Sequence, residues 1–157
     1  GIWMLHQTKI IFLLAFALGA SLFSAQETLS TEKLNALKAK PCSYVHVWAL
    51  WCDICVEELP KLVDYLNKTK KVNPLLIDVT PETGKVKAAQ EMEKAHPRFP
   101  VYAKPYGNDE QYMKAIDANW GGGLPYSALY QGGKVVKVWS GASSLSELAK
   151  ATDALCK

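Results

Sequence analysis

The apolar positions of the chain follow two spacings, one typical of strands and one typical of helices. Residues 44–50 are aromatic and β-branched and contain no breaker, which predicts a buried strand. Residues 74–80 predict a second strand. The segment 56–71 between them predicts a helix, because five apolar side chains recur at helical spacing: Val56, Leu59, Leu62, Val63 and Leu66. Two strands joined by a helix pair in parallel, so this part predicts the parallel core of a sheet.

The flanking segments add further helices and a hairpin. Ser30 or Thr31 can cap a first helix that ends before Pro41. Two apolar segments surround Gly132-Gly133, which is a strong hairpin signal. The remaining predictions are helices over 80–95, 109–118 and 143–155, a short strand over 99–103, and the hairpin strands 126–131 and 134–140. This order predicts an α/β fold with a central mixed sheet.

The amino-terminal segment differs from the rest of the chain. A basic start with Lys9 leads into an apolar run over 10–22, which small residues close. The pattern is typical of a secretory signal peptide ending near Ala25, and the run is short for a bilayer span of ~20 residues. An uncleaved membrane anchor is the alternative. We expect residues 1–25 to be a signal peptide with a short upstream extension, and residues 26–157 to be the mature domain.

Length, composition and charge narrow the class of protein. The 157 residues suffice for one domain. Hydrophobic residues make up 49% and charged residues 21%, which excludes a disordered chain. The formal net charge of +3 comes without a long Lys/Arg block, so we expect no nucleic-acid partner. The signal peptide implies a periplasmic or otherwise extracytoplasmic location, membrane-anchored if uncleaved, where cysteines can be oxidised.

The strongest candidate chemistry is the pair Cys52 and Cys55 at the start of the predicted long helix. Backbone N–H groups and the helix dipole stabilise an anion there, which favours a nucleophilic thiolate at Cys52. Two intervening residues let one helical turn bring the sulfurs within bonding distance, with Cys55 turned inward as the resolving thiol. The same spacing forms half of many zinc sites, so the pair alone leaves both chemistries open.

The surroundings of the pair resemble a known family. Residues 48–60 read WALWCDICVEELP and resemble the thioredoxin superfamily, most closely the secreted TlpA/ResA-like thiol–disulfide oxidoreductases. Residues 99–101 are similar to that family's inserted strand, 123–125 to its cis-proline loop and 131–134 to its hairpin turn. The resemblance implies a thioredoxin fold with helices on both faces of the sheet and no cofactor. It also implies Cys52 as nucleophile and reduction of disulfides on secreted proteins or apocytochromes.

Glu58 and His46 are candidates for proton handling. Glu58 lies three residues after Cys55 and faces the same side of the helix, so it can relay the proton of Cys55. The alternative is a surface glutamate. His46, where the family usually has Asp or Asn, shares a strand face with Trp48. It suits either a proton relay beneath the site or a satisfied core histidine.

The resemblance also indicates substrate contacts. We expect an extended substrate segment to lie along the backbone at Leu124, before Pro125. Trp51, beside Cys52, suits shielding of the thiolate and contact with substrate, and ordinary packing is the alternative. The family often has Pro between its cysteines, whereas this chain has Asp53-Ile54. A carboxylate beside the nucleophile disfavours the thiolate, which predicts a reductant rather than a strong oxidant.

Cys42 and Cys156 form a second candidate pair. In a thioredoxin-like topology both lie at the edge of the sheet opposite the active site. They can therefore form a structural disulfide in an oxidising compartment. Two unpaired thiols are the alternative.

These features together predict an exported thiol–disulfide oxidoreductase that acts on protein disulfides, is regenerated by a redox partner and is a monomer. The first alternative is a copper or zinc chaperone that uses Cys52, Cys55 and His46, with Cys42 as a further ligand. The second is a non-catalytic binding module in which the Cys52–Cys55 disulfide is structural.

Overall fold

Strands and helices alternate along most of the chain. The computed structural model describes residues 26–142 and 144–157, and the predicted signal peptide at 1–25 lies outside this part. The strands are β1 (Glu27–Thr28), β2 (Ser43–Trp48), β3 (Asn73–Asp78), β4 (Tyr102–Ala103), β5 (Tyr126–Gln131) and β6 (Lys134–Ser140). The helices are α1 (Thr31–Lys38), α2 (Asp53–Lys68), α3 (Lys85–Lys94), α4 (Asp109–Ile116) and α5 (Leu145–Leu155). Among the described residues, no helix is long and apolar enough to cross a membrane.

The strands form one mixed sheet around β2. Their order is β1-β4-β3-β2-β5-β6. The first four strands in this order pair in parallel, whereas β5 runs antiparallel to β2 and β6 antiparallel to β5. All six residues of β2 are buried. The predicted combination of a parallel core and an antiparallel hairpin is therefore confirmed.

Alternate residues of the strands enter two separate cores, because side chains two positions apart share a face of the sheet. Tyr44 and Trp48 of β2 pack on the face covered by α2, α3 and α5. Val45 and Val47 pack on the face covered by α1 and α4. Helices thus lie on both faces, as the resemblance implied.

The helix predicted over 56–71 is α2 at Asp53–Lys68, three residues earlier at each end, and β1, α3 and β4 also differ from the predictions. Strand β1 was not predicted, because its two exposed residues are too few to form a pattern. The Leu29 N–H donates to the Ala103 carbonyl at 2.9 Å and continues the pairing of β1. The helix expected over 80–95 begins as a 3-10 turn at Glu82–Gly84, and α3 follows that turn. The strand expected over 99–103 is shorter, since only its last two residues pair with β1 and β3.

A disulfide ties the start of the sheet to the end of the chain. It joins Cys42, directly before β2, to Cys156, directly after α5, and the two Cα atoms are 5.7 Å apart. That separation lies within the range disulfides require. Because Cys52 follows the other end of β2, the two disulfides of the chain lie at opposite ends of the central strand.

Replacing Cys42 and Cys156 by serine is expected to lower the free energy of unfolding by about 4–5 kcal/mol, because the bond closes a long loop in the unfolded chain. Urea titration of both proteins measures the change. Peptide mapping of the unreduced protein should also yield one cross-linked peptide containing both cysteines. Free thiols at both positions would contradict the assignment.

Candidate active site

The first cysteine pair lies at the junction of β2 and α2. Cys52 is the N-cap of α2: its backbone is extended, and its Sγ accepts a hydrogen bond from the N–H of Cys55 at 3.3 Å. The sulfur therefore lies where the helix presents unpaired N–H groups and the positive end of its dipole. Cys52 and Cys55 form a disulfide with their Cα atoms 5.2 Å apart. The same position stabilises a thiolate once the bond is reduced.

Burial distinguishes the two cysteines. Cys52 is 9% exposed, whereas Cys55 is fully buried in the core beneath α2. Asp53 and Ile54, between them, are exposed. A thiol from another molecule can therefore reach Cys52 far more easily than Cys55.

An apolar groove begins beside the pair. The peptide bond between Leu124 and Pro125 is cis. Trp51 is 64% exposed, and Trp51 and Leu124 both line a groove of about 470 Å³. The apolar part of the lining also includes Pro81, Pro105, Tyr106, Met113 and Trp120, and the charged part consists of Glu82, Lys85, Lys104 and Asp109. The groove thus contains Trp51 and Leu124, two of the three residues predicted to contact substrate. The third, Pro125, directly follows Leu124.

Glu58 and His46 face a different cavity, between α2, β2 and the start of α5. Its volume is about 220 Å³, and its other lining residues are Tyr44, Lys61, Leu62, Ser144 and Leu145. Glu58 is half-buried; burial raises the pKa of its carboxyl, and the neighbouring Glu57 raises it further. The structure therefore brings together the two residues that the sequence suggests for proton handling.

His46 belongs to a buried polar cluster. Its Nδ1 lies 2.7 Å from the Ser127 hydroxyl oxygen, to which the Tyr44 hydroxyl donates at 3.0 Å. Burial lowers the pKa of His46 to about 4, so the imidazole is neutral near pH 7. Its Nε2 is buried without a hydrogen-bond partner in the described part of the chain. A neutral imidazole carries its hydrogen on one ring nitrogen and can accept a hydrogen bond at the other.

The residues considered as metal ligands are not all brought together. Cys42 lies at the end of β2 opposite Cys52 and is bonded to Cys156. Within residues 26–142 and 144–157, no group of three or more His, Cys, Asp or Glu side chains is arranged to hold a metal ion. Cys42 is therefore not placed to bind a metal ion together with Cys52, Cys55 and His46, as the copper or zinc chaperone alternative would require.

Sequence reasoning misses two polar residues beneath the loop that precedes Cys52. The N–H of Leu50 donates to the Thr80 hydroxyl at 2.8 Å, and Thr80 in turn is bonded to the buried carboxylate of Asp78. Both residues fall in a segment that predicts a strand. The available signal was Asp78, an acidic residue within an otherwise apolar predicted strand. An acidic side chain is seldom buried without a specific partner.

No protein-family model and no curated protein matches the chain. The chain does match solved structures, including the following three. The pneumococcal exposed lipoprotein thioredoxin from Streptococcus pneumoniae is 21% identical with a TM-score of 0.58, over 82% of this chain and 98% of that one. A thioredoxin-family thiol:disulfide interchange protein from Chlorobium tepidum is 21% identical with a TM-score of 0.59, over 78% and 83% of the two chains.

A secreted disulfide oxidoreductase from Mycobacterium tuberculosis is 22% identical with a TM-score of 0.53, over 76% of this chain and 85% of that one. These likenesses show that the chain has the thioredoxin fold. The predicted fold class is therefore confirmed.

Proposed function

We propose that the chain is an exported thiol–disulfide oxidoreductase that reduces disulfides of secreted proteins. The observation that carries the proposal is the placement of Cys52: the more exposed cysteine of a Cys-x-x-Cys pair caps the helix whose N–H groups stabilise its thiolate. The thioredoxin fold and the neighbouring apolar groove support the same function.

The reaction follows from the geometry of the pair. The Cys52 thiolate attacks one sulfur of a substrate disulfide, the substrate bond breaks, and one substrate thiolate leaves. Cys55, as a thiolate, then attacks the Cys52 sulfur of the mixed disulfide and releases the second substrate thiolate. The substrate gains two electrons and the protein keeps the Cys52–Cys55 disulfide. A reduced redox partner regenerates the dithiol by the reverse exchange, and the chemistry needs no cofactor.

Proton handling is assigned to Glu58 and His46. Cys55 is fully buried, so its thiol needs a group that accepts its proton before it can attack. Glu58 lies one helical turn further along α2 and has a raised pKa, which brings its proton exchange closer to neutral pH. His46, which lines the same cavity and is neutral near pH 7, is assigned to hydrogen bonding near Glu58 and not to carrying the proton's charge. Trp51, Leu124 and Pro125 are assigned to substrate contact.

Export and the extracytoplasmic location rest on two supports. The Cys42–Cys156 disulfide favours an oxidising compartment. Two of the similar structures are described as an exposed lipoprotein and as a secreted protein. We infer that residues 1–25 direct the chain out of the cytoplasm and that the domain at 26–157 acts there as a monomer.

Reduction of insulin tests the function. The reduced protein should reduce insulin disulfides, and Cys52→Ser should abolish the activity. Cys55→Ser should accumulate a mixed disulfide between Cys52 and insulin, because the resolving step is lost. The Cys42→Ser/Cys156→Ser variant should keep the activity while it remains folded. Full activity in Cys52→Ser would overturn the proposal.

Asp53→Asn should make the Cys52/Cys55 couple more oxidising. Asp53 is exposed beside the nucleophile, and its negative charge disfavours the thiolate, so removal stabilises the reduced form. The expected rise in reduction potential is about 10–20 mV, larger at low salt because the charge is exposed. Equilibration with glutathione buffers measures the potential.

Asp64→Asn is the matched control, because Asp64 is an exposed carboxylate further along α2 that pairs with Lys68. The reduction potential of the Cys52/Cys55 couple in the Asp64→Asn variant should equal that of the wild type. A strongly oxidising wild-type potential would contradict the assignment as a reductant.

Glu58→Gln should slow insulin reduction by about 10²–10⁴-fold, the usual contribution of a general acid or base. The raised pKa keeps Glu58 protonated to a higher pH than an ordinary glutamate, so the rate of the wild type should rise as pH increases through that pKa. This rise should disappear in the variant. Glu57→Gln, at the exposed neighbouring position, should retain the rate and its rise with pH, with the rise moved to lower pH because a charge that raises the pKa of Glu58 is lost. Equal behaviour of the two variants would contradict the role of Glu58.

A further inference from the structure

A buried carboxylate lies below the loop that carries Cys52. Asp78, the last residue of β3, is 0% exposed. Its Oδ1 accepts hydrogen bonds from the backbone N–H and the hydroxyl of Thr80, and its Oδ2 accepts one from the side-chain amide of Gln26 at 2.8 Å. Burial raises the pKa of Asp78, and the bonds from Thr80 and Gln26 act in the opposite direction. Asp78 thus orients the hydroxyl of Thr80.

The hydroxyl oxygen of Thr80 accepts a hydrogen bond from the active-site loop. Since its hydrogen is donated to Asp78, its oxygen is available as an acceptor. It accepts the N–H of Leu50 at 2.8 Å. Leu50 lies between β2 and α2, two residues before Cys52, and the next bond along this loop runs from the Cys52 N–H to the Ala49 carbonyl at 3.1 Å.

A glycine packs against the other side of Thr80. A Cβ atom at Gly84 would lie 2.7 Å from the Thr80 Cγ2 and 3.6 Å from the Leu50 Cδ2. The 3-10 turn therefore approaches Thr80 so closely that no side chain fits between them. Thr80 is held by the carboxylate through its hydroxyl and by the turn through its methyl group.

We propose that Thr80 is a positioning residue for the cysteine pair. Its hydroxyl, held by Asp78 and Gly84, fixes the loop at Leu50 and thereby aligns the Cys52 sulfur with the N–H at the start of α2. This inference rests on the proposed function, because it concerns the reactivity of the nucleophile. Without the hydroxyl, the Leu50 N–H loses its partner, the loop relaxes, and the Cys52 thiolate loses part of its stabilisation.

The test measures the thiolate directly. Cys55→Ser isolates Cys52, and the rate of its alkylation by iodoacetamide from pH 5 to 10 reports its pKa. Thr80→Val, which keeps the shape and removes the hydroxyl, should raise the pKa of Cys52 and slow its alkylation at pH 7 by about 3–10-fold. Thr80→Ser should restore the wild-type profile.

The matched control is Thr152→Val in α5. Thr152 is also fully buried, and its hydroxyl has no hydrogen-bond partner among the described residues. It should leave the pH profile of Cys52 unchanged. An unchanged profile in folded Thr80→Val protein would overturn the proposal, as would a Thr80→Ser profile equal to that of Thr80→Val.

A second pair of variants keeps the test decisive if Thr80→Val does not fold. Gly84→Ala keeps the Thr80 hydroxyl but pushes on its methyl group, so it should raise the pKa of Cys52. Thr80→Ser lacks that methyl group, so Gly84→Ala/Thr80→Ser should return the profile to that of Thr80→Ser alone. Equal profiles in all three proteins would overturn the proposal. Since alkylation needs no protein substrate, failure of insulin reduction alone would count against the proposed function and not against this inference.

Discussion

The hydrogen bond from the Cys55 N–H to the Cys52 sulfur is the contact on which the site depends. The start of an α-helix has unpaired N–H groups and a positive dipole end, and it is stabilised by a cap that accepts hydrogen bonds. Most caps are oxygen atoms whose charge does not change. Here the cap is a sulfur, which is neutral in the disulfide and negative as a thiolate. The helix start therefore interacts more strongly with the Cys52 sulfur when the pair is reduced. This couples the redox state of the pair to the first turn of α2.

The fold places two different environments next to this cap. The groove that contains Trp51 and Leu124 has a largely apolar lining with charged side chains such as Lys85 and Lys104, whereas the cavity shared by Glu58 and His46 is smaller. The two share no lining residue. The residues proposed for substrate contact and those proposed for proton handling therefore lie on separate surfaces.

The candidate site was predictable where it is local in the sequence. Cys52, Cys55 and Glu58 lie on one helix, so their spacing alone places them together. The likeness of 123–125 to a cis-proline loop also agrees with the cis bond before Pro125. The groove walls at Tyr106 and Met113 were not predictable, because they come from a loop and a helix far along the chain and have no distinctive pattern.

By itself the sequence determined the order of the elements after β1, the mixed sheet and the position of the cysteine pair at a helix start, because each depends on short-range periodicity and capping. Tertiary structure decided what long-range contacts control. It paired Cys42 with Cys156 across the fold and buried His46 so that its pKa falls to about 4. It also brought Thr80 beneath Leu50, since neighbouring parallel strands end at the same edge of the sheet and no local pattern records which side chains meet there.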